Sequence, residues 1–361
     1  MKTHARPAAQ VSARLAALAV VPLALAGCST IGEGGEDDTD EAEAADQVVL
    51  VTHESFSLPE ELIAEFEAEH GQKLVVRASG DAGALSAKLA LTKDNPTGDV
   101  AFGIDNTFAS RTLAEGVFAV TDAAPVAGVE DYELAEGADR LFPVDVAHVC
   151  LNIDDTWFAD QDVRPPSTLE DLTDPAYRDL TVLPAASTSS PGMAFLLTTI
   201  AAFGDEWPQY WGDLLDNGAK IVEGWSDAYY TEFTQGGEKG TRPIVLSYDS
   251  SPAFTVPEGA EGSTTSALLD TCFEQVEYVG VLEGAANPEG AKALVDFLRE
   301  PQVQAALPEA MYVFPVLEGV ELPEAWARYA VQPAEPFEVD PAEISANRET
   351  WLRDWTDLTT R

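Results

Sequence analysis

Two long extended segments constrain this chain more than any other feature. Leu141 to Ile153 (LFPVDVAHVCLNI) and Phe273 to Leu282 (FEQVEYVGVL) are rich in β-branched and aromatic residues. Both exceed the usual strand of about 5–6 residues. Between them, residues 167 to 270 carry their own strand and helix signals, with strands at Leu180 to Leu183 and Ile244 to Leu246. Before them, Val48 to Val51, Lys73 to Arg77 and Asp99 to Ile104 read as strands alternating with helices over Pro59 to His70 and Ala84 to Thr92. After them, Pro288 to Arg299 reads as an amphipathic helix with Pro288 at its start. Alternation of this kind makes layered α/β units. A self-contained block flanked by two crossings predicts two α/β lobes, each with its own sheet, hinged at the crossings near Ala147 and Val279. Lobe 1 is expected over 47–145 with 275–320, lobe 2 over 146–274, and a C-terminal helical segment over 321–361 that packs on either lobe. Ser167 and Glu170 have the spacing of a capping box.

The N-terminus reads as an export signal over 1–27. Lys2, Arg6 and Arg14 precede an unbroken apolar run from Leu15 to Ala26. That run is shorter than the roughly 20 residues a membrane span requires. Leu25-Ala26-Gly27-Cys28 resembles the bacterial lipobox, which predicts cleavage before Cys28, lipidation of its thiol and attachment to the extracytoplasmic side of the cell membrane. Residues 28–46 are acidic and offer little to bury, so they are expected to form a disordered tether. The remaining cysteines, Cys150 and Cys272, lie on or beside the two crossings. An exported chain tolerates a bridge between them, and two buried thiols fit equally well.

The chain holds 63 acidic against 20 basic residues, a formal net charge of −43. Such a surface repels nucleic acid and anionic lipid and concentrates cations without naming one. Catalytic motifs are missing. His53, His70 and His148 are scattered, and no metalloprotease, nucleophile-elbow, phosphate-loop or zinc spacing occurs. No enzyme, metal or cofactor is expected from this sequence.

Aromatic and hydroxyl residues gather in three segments instead. Ser187 to Gly192 (STSSPG) precedes an apolar helix, where hydroxyls and free N–H groups either cap the helix or bind an anion. Gly224 to Tyr230 (GWSDAYY) and Ser247 to Phe254 (SYDSSPAF) follow strand signals. These motifs resemble those of the thiamine-binding receptors of bacterial ABC importers. Gly224-Trp225-Ser226-Asp227-Ala228-Tyr229 is similar to that family's G-W-S-[DE]-A-Y, and Ser247-Tyr248 with Ser251-Pro252-Ala253-Phe254 to its S-Y-x-x-S-P-A-[YF]. The serine run ending at Pro191-Gly192 and the strand end Gly103-Ile104-Asp105-Asn106 are similar to two further motifs, in the family's order.

The resemblance implies a two-lobed, periplasmic-binding-protein-like fold that closes on thiamine or a thiamine phosphate and delivers it, as a monomer, to a permease. It implies pocket roles for Trp225 and Tyr248, and hydroxyl roles for Ser189 and Ser251. His53 stands where the family usually has Tyr, Phe254 where Tyr is common, and Tyr312 where some members carry Trp. Asp81, in the turn Gly80 to Gly83, falls near the family's acidic ligand-facing turn, and Asp227 or Asp81 would offset a buried positive ring. Ferric-binding relatives of the same fold use two adjacent tyrosines, and Tyr229-Tyr230 is such a pair. A polyamine is the third ligand compatible with aromatic residues flanked by acids.

Overall fold

The computed structural model describes residues 46–237 and 239–360. The expected signal, the Cys28 lipobox and the tether up to residue 45 lie outside the described residues. The first described strand, β1 (Gln47–Thr52), is apolar and buried, as a central parallel strand is. It pairs in parallel with β2 (Lys73–Ala78) and β3 (Val100–Asp105). Helix α1 (Glu60–His70) buries Leu62 and Phe66 and stops at Gly71, whose φ of 66° suits a residue without Cβ. Helices α2 (Ala82–Leu91) and α3 (Ala109–Ala114) follow β2 and β3.

The first crossing is β4 (Phe142–Asp154), buried along its whole length. The block after it holds α4 (Asp155–Gln161), β5 (Thr181–Pro184), α5 (Ser190–Phe203), α6 (Trp207–Asp216), β6 (Lys220–Val222), β7 (Ile244–Tyr248) and β8 (Thr265–Ala267). The second crossing is β9 (Phe273–Val281), followed by α7 (Pro288–Phe297), α8 (Pro301–Met311), β10 (Phe314–Pro315), α9 (Glu324–Tyr329) and α10 (Pro341–Thr359).

The strands form one ladder in the order β2-β1-β3-β9-β4-β7-β5-β6, which corrects the expectation of a separate sheet in each half. The crossings themselves close the gap. β4 and β9 run antiparallel, with Phe142 opposite Val279 and Val149 opposite Phe273. Each also pairs outward, β9 with β3 and β4 with β7. Two groups of parallel strands therefore share a central antiparallel pair, and the pair is the only sheet connection between them among the described residues. Cys150 on β4 and Cys272 beside β9 form a disulfide, with Cα atoms 4.2 Å apart.

Two smaller expectations also change. Around Ser167 the reciprocal cap uses Asp171, whose N–H donates to Thr168 Oγ1 and whose carboxylate accepts the Ser167 N–H, rather than Glu170. The C-terminal helix packs on both halves rather than one. Arg348 lies 4.2 Å above the Phe108 ring, beside α3, while Trp355 meets Trp211 of α6 edge-on at 5.6 Å.

Candidate functional site

The carboxyl ends of β1, β2 and β7, where open α/β folds hold ligands, open onto one cavity of ≈ 280 Å³. His53, Glu54 and Asp81 reach it from the β1–β3 group, and Ser190, Trp225, Tyr230 and Tyr248 from the β5–β7 group. Glu277 comes from β9, and Tyr312 from the end of α8.

Trp225 is held on every side. Its indole N–H donates to Ser247 Oγ at 2.9 Å, and its ring stacks on Tyr229 at 5.2 Å and 21°. Tyr230 meets it edge-on at 5.2 Å, and Tyr248 lies tilted at 5.9 Å. Apolar contacts come from Val182, Phe233 and Val245, so the ring is only 7% exposed. Its short loop is buried by residues distant in the chain, which local sequence did not reveal. Tyr312 has a left-handed backbone, φ 65°, and its carbonyl accepts the Ser250 hydroxyl at 2.6 Å. A non-glycine residue in that region is uncommon and clusters at functional positions.

The two strand groups touch across the cavity. Asp81 caps α2 by accepting the Ala82 N–H at 2.7 Å with one oxygen, and accepts the Trp225 N–H at 3.1 Å with the other. The N–H groups of Gly83 and Ala84 donate to the Thr188 carbonyl at 3.0 and 3.3 Å. A Cβ on Gly83 would stand 2.7–2.8 Å from Ser187 and Thr188 backbone atoms, so this close approach requires glycine.

The electrostatics are acidic. No lysine or arginine lines the cavity. Asp145 lies opposite Glu277 across the crossing pair. Burial drives its carboxyl well above the ordinary range, and the Glu277 charge adds to this. Burial likewise pushes Asp105 up to about 6, against hydrogen bonds from Ser190 and Thr107. Burial raises the Tyr248 phenol, and Glu277 and Asp81 raise it further.

Of the residues singled out in the sequence, Trp225, Tyr230, Tyr248, Tyr312, Asp81 and His53 line the cavity, and Ser189, Ser251, Phe254, Tyr229 and Asp227 do not. Ser251 sits behind Trp225, sharing a 2.8 Å hydrogen bond with Ser247 and accepting the Tyr248 N–H. Ser189 is buried as the residue before α5, and its neighbour Ser190 faces the cavity instead. Phe254 backs Tyr312 at 4.0 Å, Tyr229 backs Trp225, and Asp227 is exposed at the start of a short helical turn. The Tyr229–Tyr230 pair therefore brings only Tyr230 to the cavity. Among the described residues no cluster of three or more His, Cys, Asp and Glu side chains is arranged to hold a metal. Glu277 and Ser190 were missed. An acid in the middle of a long extended segment was the available signal for Glu277, because a buried strand rarely carries a charge without a use for it. A shallower depression of ≈ 330 Å³ lies between Asp155, Asp249 and α9. Its one aromatic ring, Tyr329, has the Arg328 guanidinium over one face at 5.2 Å.

Residues 95–334 match the family described as bacterial extracellular solute-binding protein. The chain is 28% identical over 301 residues to the thiamine-binding periplasmic protein of Escherichia coli (strain K12), covering 82% of this chain and 87% of that protein. It is 29% identical over 333 residues to the thiamine-binding periplasmic protein of Brucella abortus biovar 1 (strain 9-941), covering 89% and 94%. The solved structure of a periplasmic thiamin binding protein superposes with a TM-score of 0.75 at 26% identity, over 87% of this chain and 96% of that one. A ferric binding protein from Campylobacter jejuni superposes at 0.66 with 14% identity, over 86% and 99%, which shows a common fold. The α/β arrangement around a crossing pair is thus that of periplasmic binding proteins.

Proposed function

The chain belongs to the bacterial extracellular solute-binding proteins, and from that premise we propose that it captures thiamine or a thiamine phosphate and delivers it to an ABC importer. The observation that carries this reading is the cavity's composition. Four aromatic side chains, Trp225, Tyr230, Tyr248 and Tyr312, share it with three acids, Glu54, Asp81 and Glu277. Thiamine presents a flat aminopyrimidine and a permanently positive thiazolium. A cation over such a ring gains about 0.5–2 kcal/mol, more as water is excluded. Ser190, at the start of α5, and Ser226 supply hydroxyls for the hydroxyethyl tail or its phosphate. The names of the relatives support the same ligand. Capture needs no bond to be made or broken, so no catalytic group is assigned.

Calorimetry of the signal-free protein with thiamine, thiamine phosphate, spermidine and ferric citrate tests this reading. Saturable heat with thiamine or its phosphate, at micromolar affinity (about −8 kcal/mol) or tighter, is expected. Binding of iron with a phenolate charge-transfer band, or of spermidine, without a response to thiamine would replace it.

The protein works as a lipid-anchored monomer in this reading, held through Cys28. Its motif lies outside the described residues, so the reading stands on Leu25-Ala26-Gly27-Cys28. Cys28→Ala is expected to leave the protein unlabelled by radioactive palmitate and free of the membrane fraction. Undiminished labelling of that variant would remove the anchor.

A further inference from the structure

Of the aromatic rings around the cavity, Tyr230 is the most exposed. Nearly half of it, 47%, meets solvent, while Trp225 and Tyr229 beside it are buried. Burial of so open a ring contributes little to stability. Its position is nonetheless carefully built. Trp225 and Tyr229 are four residues apart and stack as helical neighbours do. Tyr230 is five residues on, a spacing that an ordinary α-helix turns toward another face. Here the turn over Asp227–Glu232 is a wider, π-helical one, in which the Phe233 N–H donates to the Ala228 carbonyl at 3.0 Å. The widening keeps Tyr230 against both rings, edge-on at 5.2 Å to Trp225 and at 5.5 Å to Tyr229. Two glycines brace it from outside. A Cβ on Gly236 would stand 1.7 Å from the Tyr229 carbonyl oxygen, and one on Gly237 2.1 Å from that of Tyr230. Turns of this kind are rare and recur at functional sites.

The partner of Tyr230 comes from the other strand group. Helix α8 buries Leu307 and Met311 in the core around β1 and β3. Tyr312, at its end, packs against the Trp225–Tyr229 group instead. Phe254 supports that ring from behind, and the Ser250 hydroxyl holds the Tyr312 carbonyl. Tyr230 and Tyr312 line the same cavity, and their hydroxyls face one another. Partial burial, with the Tyr312 phenol beside it, pushes the Tyr230 pKa up, so its hydroxyl keeps a proton to donate. One phenol from each side thus meets the other at the solvent edge of the cavity.

We propose that Tyr230 is a ligand-retaining residue: paired with Tyr312, it closes the cavity over a flat ring resting on Trp225 and sets how slowly that ring leaves. The inference rests on the reading that the ligand is thiamine or its phosphate. Departure requires the two phenols to part, whereas entry takes place while the halves are already apart. The pair therefore acts on dissociation more than on association, the usual route by which contacts tune affinity. The Tyr230 ring also gives a positive heterocycle a second aromatic surface beside Trp225.

Release of tritiated thiamine, chased with excess unlabelled thiamine, tests this, with association followed by stopped-flow tryptophan fluorescence. Tyr230→Ala should release thiamine about tenfold faster or more, with association within about threefold of native. Melting without ligand should stay close to native, because the ring is half in solvent. Tyr230→Phe and Tyr312→Phe each keep the ring and remove one hydroxyl, and each should speed release about two- to tenfold. The double phenylalanine variant should release no faster than either single one, because both remove the same contact. A ring that only packs would show no such coupling. If Tyr230→Ala does not fold, the phenylalanine variants decide alone. Release from Tyr230→Ala within about twofold of native, or phenylalanine effects that simply multiply, overturns this inference and leaves the functional reading standing. A native protein that takes no thiamine overturns both.

Discussion

Trp225→Ala is expected to lose about 3–5 kcal/mol of stability and, where still folded, to bind thiamine about 5- to 150-fold more weakly. The two losses have different sources. The ring is a core residue, stacked on Tyr229 and packed by Val182, Phe233 and Val245, so truncation leaves a hole. It also removes the indole donor from the Ser247 hydroxyl, which keeps its 2.8 Å bond to Ser251. The binding loss comes from the ring face toward the cavity, worth about 1–3 kcal/mol against a flat cation. Trp225→Phe separates the two, because it keeps most of the packing and a π face while removing the N–H. It should melt between the native protein and the alanine variant and retain most of the affinity. Normal thiamine affinity in folded Trp225→Ala would remove Trp225 from the site and leave it a core residue.

Replacing Cys150 and Cys272 together by alanine is expected to lower stability by about 2–5 kcal/mol, among the largest effects available without touching the cavity. The bridge joins residues 122 apart, and the closed loop contains the whole β5–β7 block. Cross-linking so long a loop removes much of the unfolded chain's freedom, and it staples β4 to the start of β9 at the crossing pair. Both sulfurs are buried, so the substitution also leaves a small cavity. Thermal melting of the double variant checks this, and thiamine affinity below the transition should hold within a few-fold. A melting point within about a degree of the native protein would show that the bridge contributes nothing net.

The fold was legible where the pattern was long and local. The crossings, the first three strands and α1 all sit within a few residues of the positions their apolar runs implied. What was not legible depended on pairing. Whether β4 and β9 join the flanking strand groups into one ladder is a matter of register between residues about ninety or more apart, and no local pattern encodes it. The site divided in the same way. Trp225, Tyr248 and Asp81 were visible as turn and loop residues, but Ser189 and Ser190 are adjacent and only the first turn of α5 decides which one faces the cavity. Glu277 hid in the interior of a strand, where its side and its neighbours become known only once Asp145 and His53 are placed beside it.

The C-terminal helix has a mechanical consequence. α10 is seated at two places, with Arg348 on the Phe108 ring and Trp355 against Trp211. The first seat belongs to the strand group that carries His53 and Asp81, the second to the group that carries Trp225. A rotation about β4 and β9 must therefore peel the helix from one seat, wetting either a buried guanidinium–aromatic stack or a tryptophan pair. The helix acts as a strut in parallel with the crossings, and it limits the travel of the two halves from outside the cleft. How long a captured molecule resides is then set partly by side chains that never touch it.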